Sequence, residues 1–180
     1  MSKLKRHPPH IDRRDWLAPL PAATRFSFRG SSEAAAAASR ALGVELSQVA
    51  CRAHVAGERA ALWLGPDEQL LIGAESEAAT LRDSLTVALG DIPHSLVDIS
   101  HRQVAFVVHG AHAEWLLQSG CPLDLELSHF PVGMCTRTVF LKAEIVLWRT
   151  APDTFRLEVW RSFAEYVTSL LAEAAIELSA

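Results

Sequence analysis

Stretches of period-two alternation and stretches of period three to four take turns along this chain. Phe26 and Phe28 alternate with Ser27 and Arg29, which predicts a short strand. The run S-S-E-A-A-A-A-A-S-R-A-L-G follows and predicts a helix. Ser31 or Ser32 can accept its first free N–H groups, alanine has the best helix propensity, and Gly43 suits the position after the last turn. Its alanine face is thin and suits close packing. Residues 58–64 and 69–72 read as two hairpin strands around Gly65-Pro66-Asp67-Glu68. Residues 76–89 predict a second helix, with Ala78, Leu81, Leu85, Ala88 and Leu89 on one stripe and Gly90 at its end.

The second half repeats the theme. Residues 97–99 and 104–108 predict strands, the latter broken at Gly110, and 111–118 a short helix stopped by Ser119-Gly120. The loop C-P-L-D-L-E-L-S-H-F-P-V-G then leads to a long hairpin, 137–149 and 154–161, turning at Pro152-Asp153. Val139, Leu141, Ala143, Ile145 and Leu147 share one face of it, and Phe155, Leu157 and Val159 another. Ser162 and Glu165 match a capping box ahead of a last helix. Its stripe is Phe163, Tyr166, Val167, Leu170, Leu171 and Ala174. The expected fold is α+β with antiparallel sheets: one domain over 25–180 built of two strand/helix half-repeats, about 25–92 and 93–180. Residues 1–24 read as a basic, proline-rich arm (Lys3, Lys5, Arg6, Arg13, Arg14). Trp16, Leu17 and Leu20 are its apolar anchors, and the arm is either a loose tail or ordered against a partner.

Composition narrows the function. A chain of 180 residues is long enough to fold without staples. A formal charge of −4 points away from nucleic acid. Three widely spaced cysteines, Cys51, Cys121 and Cys135, fit reduced thiols better than a disulfide framework. Every apolar run is interrupted before the ~18 residues a membrane span needs. The basic start is followed by no apolar segment of the signal-peptide kind, so a soluble, cytoplasmic protein is expected.

Candidate chemistry is sparse. Asp98, Ser100 and His101 invite a triad, but on a strand Asp98 and Ser100 point one way and His101 the other, and no G-x-S-x-G turn exists. His109, His112, Cys121 and Cys135 lack ligand-pair spacing, so a metal site is not expected, and His7 and His10 in the arm are not read as one either. Trp115, Trp148 and Trp160 are more often core or contact residues than cofactor stackers.

Five strings carry a resemblance: W-L-G-P-D-E-Q-L-L at 63–71, V-D-I-S-H-R at 97–102, L-L-Q-S-G-C-P-L-D-L at 116–125 with Phe130 to Gly133, Arg137-Thr138, and R-S-F-A-E-Y at 161–166. In order and spacing these resemble the gamma subunit of heterotetrameric sarcosine oxidase over about residues 40 to 176. More distantly, 97–171 resembles part of the folate-binding fold of aminomethyltransferases. The resemblance implies an accessory, non-catalytic chain with no cofactor of its own. It would belong to a complex that oxidatively demethylates sarcosine to glycine, makes hydrogen peroxide and passes a one-carbon unit to tetrahydrofolate. The alpha, beta and delta subunits would be the partners and would hold FAD, FMN, NAD, tetrahydrofolate and zinc. Subunit contacts are expected at Trp16, Trp63, Arg102, Arg137 and Arg161, because aromatic and guanidinium side chains are enriched at protein contacts. Gln69 stands where the family's string has a second Trp, a departure that would weaken a partner-facing anchor and leaves room for another N-methyl amino acid as substrate. Asp124 lies near a folate-contacting Asp of the aminomethyltransferases, though G-C-P-L-D-L is out of register with their L-T-N-D stretch. Its alternative roles are a loop-amide acceptor or, in a free-standing one-carbon protein, a folate contact.

Overall fold

In the computed structural model, residues 15–177 are described. Ten strands form two five-stranded sheets in which every neighbouring pair is antiparallel. The first sheet has the order β3 (Ala53–Ala56), β4 (Arg59–Gly65), β5 (Glu68–Ala74), β2 (Ala23–Gly30), β6 (His94–Asp98). The second has the order β1 (Leu17–Pro19), β7 (Gln103–His109), β10 (Thr154–Trp160), β9 (Ala143–Ala151), β8 (Cys135–Phe140).

Strand alternation divides the interior into three apolar layers. Phe26, Phe28, Ala61 and Leu71 turn outward and pack on α1 (Ser32–Leu42) and α2 (Ala78–Leu89). Phe106, Val108, Leu147 and Leu157 pack on α3 (Ala113–Gln118) and α4 (Ala164–Glu177). The opposite faces of the sheets meet through Ala60, Leu62, Leu70 and Ile72 on one side and Cys135, Val146 and Trp148 on the other. The layers therefore run helix, sheet, sheet, helix. The predicted α1 caps are present: Ser31 Oγ accepts from Ala34 N, and Gly43 sits at φ +73° in the left-handed region. Leu81, Leu85 and Leu89 form the buried stripe of α2, while Ala88 is exposed.

The half-repeats are visible in the topology. Each runs strand, strand, helix, three strands, helix: β1-β2-α1-β3-β4-β5-α2 and β6-β7-α3-β8-β9-β10-α4. The first strand of each pairs in the other's sheet, β1 with β7 and β6 with β2. The second repeat begins with β6, at His94, and the change of sheet falls after that strand. The basic residues of the expected arm, with His7 and His10, lie outside the described residues. Its last part is built into the fold: Leu17 is buried, and Leu20 N donates to Ala105 O at 2.8 Å.

Two expectations are corrected. The single strand read over 137–149 is two, β8 and β9, folded back at Leu141-Lys142, with Leu141 at φ +51° and no glycine to announce the turn. Val139 and Leu141 are in consequence exposed, and Ile145 and Leu147 share their face with Val159 and Leu157, their cross-strand partners. The capping box does not form. Ser162 lies inside a 3₁₀ turn, Arg161–Phe163, which delivers the chain into α4. Gly120 follows α3 for packing reasons rather than conformational ones: a Cβ there would lie 2.7 Å from the Phe140 ring.

Candidate functional site

Four of the five strings converge at one end of the sheet–sheet interface, and the fifth, 116–125 with Phe130, packs in the core between the second sheet and its helices. The turn into β5 presents Glu68, which is 9% exposed and lies between Arg29 of β2 and Arg137 of β8. Arg137 donates to both oxygens of Glu68, Nη2 to Oε1 at 2.5 Å and Nη1 to Oε2 at 3.2 Å, and Arg29 Nη2 donates to Oε2 at 2.6 Å. These bonds, led by that from Arg137, hold the Glu68 carboxyl below the ordinary carboxylate range against the opposing effect of burial, and Arg102 adds a further attraction. Glu68, Arg102 and Arg137 line a void of about 10 Å³, room for about one water and too small for an organic substrate.

Above this network the surface is aromatic and basic. Arg161 N donates to Arg102 O at 2.7 Å, which brings the two remote strings together. The Arg102 guanidinium lies 5.1 Å over the Trp160 ring, a cation–π contact. Trp160 and Phe163 are each 36% exposed, and Phe163 meets Tyr166 edge-on at 6.2 Å. Of the residues expected at subunit contacts, Arg102 and Arg161 are exposed side by side here. Arg137 is engaged within the chain by Glu68. Trp63 is half-buried on β4, and Trp16 packs against the second sheet's core at the far end of β7, where its carbonyl accepts from His109 N. Trp160 reads from the sequence as a core or contact residue, while Phe163 and Glu68 are not expected at a contact. Their signal was position, since each lies within or beside a shared string.

Asp98, Ser100, Cys121, Cys135, Asp124 and Gln69 make contacts within the chain. Asp98 Oδ1 accepts from both Ser100 N at 2.9 Å and Ser100 Oγ at 2.6 Å, and Oδ2 pairs with Arg82. Ser100 Oγ also accepts from Arg25 N, so the D-I-S triplet ties the end of β6 to β2. Burial raises the Asp98 carboxyl, but the Ser100 and Arg82 bonds outweigh it and leave the carboxyl lowered. Cys121 and Cys135 are buried thiols, the latter donating to Trp63 O and pushed up to about 12 by burial. Asp124 accepts from Glu126 N at 3.0 Å and meets His129 Nδ1 at 2.5 Å, as a loop-amide acceptor does. Asp124, Glu126 and His129 stand close enough to share an ion, but all three are exposed loop residues. Gln69 is buried and donates to Ser47 O at 2.8 Å, so the position where the resembling string has Trp faces this chain's own interior and not a partner. Among the described residues no helix is long and apolar enough to cross a membrane.

Two strand-exchanged repeats with helices outside and sheets inside define an α+β domain of the aminomethyltransferase kind. Aminomethyltransferase T of the glycine cleavage system from Bartonella henselae superposes with a TM-score of 0.68 at 13% identity, over 86% of this chain and 44% of that one. At that identity the likeness is one of fold. The sequence profile of the sarcosine oxidase gamma subunit family matches residues 29–177. Sarcosine oxidase subunit gamma from Corynebacterium sp. (strain U-96) is 34% identical over 150 residues, 83% of this chain and 72% of the relative. Heterotetrameric sarcosine oxidase from Corynebacterium sp. U-96, solved in complex with pyrrole 2-carboxylate, contains a chain that superposes with a TM-score of 0.85 at 32% identity, covering 91% of this chain and 85% of that one. The chain belongs to the sarcosine oxidase gamma subunit family, and its partners are other subunits of the oxidase.

Proposed function

We propose that this chain is the accessory, non-catalytic subunit of a heterotetrameric oxidase that demethylates sarcosine to glycine, and that it acts by docking, through the Arg102–Trp160–Arg161–Phe163 surface, onto the larger subunits. The observation that carries the reading is the convergence of four of the five family-like strings on a surface of exposed aromatic and guanidinium side chains, backed by an ion network instead of a substrate cavity. Exposed Trp and Arg on a rigid base have the composition of interface hot spots. The alpha, beta and delta subunits would then hold the flavins, NAD, folate and zinc. Peroxide formation and one-carbon transfer to tetrahydrofolate would take place there, in a cytoplasmic complex. This chain's contribution is contact area that favours the assembled state by mass action.

The test is co-expression of the tagged chain with the large subunits, purification on the tag, and measurement of flavin absorbance and peroxide release from sarcosine. The unaltered chain is expected to bring down yellow, active complex. The double variant Trp160→Ala, Arg102→Glu is expected to fold, by circular dichroism, and to lose most of the flavin-bearing chains. Retention of full complex by that variant moves the docking surface elsewhere. A colourless monomer from the unaltered chain overturns the reading.

A further inference from the structure

The loop that enters β3 of the first sheet runs antiparallel to the chain that enters β8 of the second. Ala53 N donates to Gly133 O at 2.9 Å and Cys135 N to Cys51 O at 3.0 Å, on either side of a bridge between Arg52 and Met134. Cys51 and Cys135, distant in sequence, therefore stand directly opposite one another. Residues opposed in this way and joined by a backbone bond have Cα atoms about 5.5 Å apart. That lies inside the roughly 4.4–6.8 Å that a disulfide spans.

The two thiols differ in a way that assigns them different parts. Cys51 is half-buried and Cys135 is buried. Cys51 also takes a φ of +58°, which among the described residues only one other non-glycine residue approaches. A residue with a Cβ keeps that conformation only where its surroundings impose it, and such positions gather at functional sites. Burial raises the Cys135 thiol most, and the charge of Cys51 raises it further, so the two sulfurs lie within electrostatic reach. Cys121 stands apart: it belongs to the helix-side core of the second sheet, whereas Cys135 belongs to the layer between the sheets.

We propose that Cys51 and Cys135 form a dithiol that hydrogen peroxide oxidises to a disulfide, stitching the loop ahead of β3 in the first sheet to β8 in the second. Cys51, the partner that solvent reaches, reacts first. Its thiolate attacks one peroxide oxygen, the O–O bond breaks, and the departing hydroxide takes up the thiol's proton as water, leaving a sulfenic acid. The Cys135 sulfur then bonds to the Cys51 sulfur, the S–O bond breaks, and the second hydroxide leaves with the Cys135 proton as water. In sum the two thiols lose two electrons and two protons, and one peroxide is reduced to two waters. The second step is the slow one, because a thiol pushed up to about 12 is protonated at neutral pH. The pair reacts whatever the source of the peroxide, and the inference does not depend on the docking surface.

The test uses the full chain, with whatever subunits accompany it, treated with hydrogen peroxide, unfolded, alkylated and digested without reductant for mass spectrometry. A linked Cys51–Cys135 peptide is expected, lighter than its two reduced parts by two hydrogens and separated again by dithiothreitol, while Cys121 is recovered as a thiol. Cys51→Ser is expected to abolish the link and leave Cys135 a thiol. In Cys135→Ala, where Cys51 has no resolving partner, dimedone is expected to capture several-fold more sulfenic acid at Cys51 than in the unaltered chain. Circular dichroism establishes that the variants fold, and the linked peptide and the Cys51→Ser result decide the matter if Cys135→Ala does not. Recovery of both Cys51 and Cys135 as thiols after peroxide overturns the proposal. So does oxidation of Cys51 in the unaltered chain that runs on to sulfinic acid without a link. A bond from Cys51 to Cys121 or to a second chain, in place of Cys135, overturns it as well.

Discussion

Glu68 shows how much of this site one carboxylate organises. It joins β5 of the first sheet to β8 of the second through Arg137, and its carboxyl is lowered chiefly by that bond. A carboxyl lowered in the folded state contributes stability above its unfolded value and loses it as pH falls through the folded one. The urea midpoint is therefore expected to hold steady near neutrality and to fall below about pH 4.5, the ordinary value for this group. Glu68→Gln is expected to lower the neutral midpoint and shrink the acid loss, with the lowered Asp98 and Asp124 accounting for part of what remains. An acid limb unchanged in Glu68→Gln would show that the pair contributes nothing to folding. None of these partnerships was legible in the sequence: Glu68 and Arg137 are 69 residues apart, and only the packing of the first sheet on β8 across the interface brings them together.

Elements differ in how openly their ends are written. α1 was fully legible because its caps are local: Ser31 accepts a bond three residues on, and Gly43 takes the left-handed conformation that a Cβ resists. The β8–β9 turn was not, because Leu141 at φ +51° is a residue no turn rule selects. Its strain is tolerated because the strands on either side fix the register, Phe140 opposite Ala143 and Val139 opposite Glu144. The two sites predict opposite signs. Gly43→Ala is expected to destabilise by about 1 kcal/mol, whereas Leu141→Gly, at a side chain 51% exposed, is expected to stabilise by up to about 1 kcal/mol. Thermal or urea melts of the two variants, with Ser31→Ala as a reference costing about 1 kcal/mol, check both.

At the scale of the molecule the exchanged strands are what make two repeats one body. β1 supplies an edge to β7 although it precedes β2 in the chain, and β6 does the same for β2 although it precedes β7. Each repeat is thus completed by the other, and the Arg25–Glu158 pair joins the sheets through their interior. Removing residues 1–22 strips β1, takes Leu17 from the second core and opens the edge of β7. Such a chain is expected to lose soluble yield and melt less cooperatively, with the loss registered in the second repeat by hydrogen exchange at Phe106 and Val108. A sharp, unshifted transition would show that β1 is dispensable. Were the repeats independent bodies, the loss would also stay confined to the second, so protection of Phe26 and Phe28 is the informative contrast; it is expected to fall too.

Local physics sufficed for a part of this protein. Period, caps and turn residues determined α1, α2, the β4–β5 hairpin, the body of α4 and hence an antiparallel α+β class, because each is set by residues a few positions apart. The shared strings determined the family for the same reason: they are contiguous. What belonged to the tertiary structure is everything that needed distant partners. The exchange of β1 and β6 decided which sheet each strand enters. Burial decided that Gln69 faces inward, and the fold decided that Ser100 sits between Asp98 and Arg25 at the end of β6 and that Trp148 and Arg156 stand side by side. A sequence lists its charges one at a time, and whether a guanidinium is matched, surplus or exposed depends on how many carboxylates the fold brings within its reach.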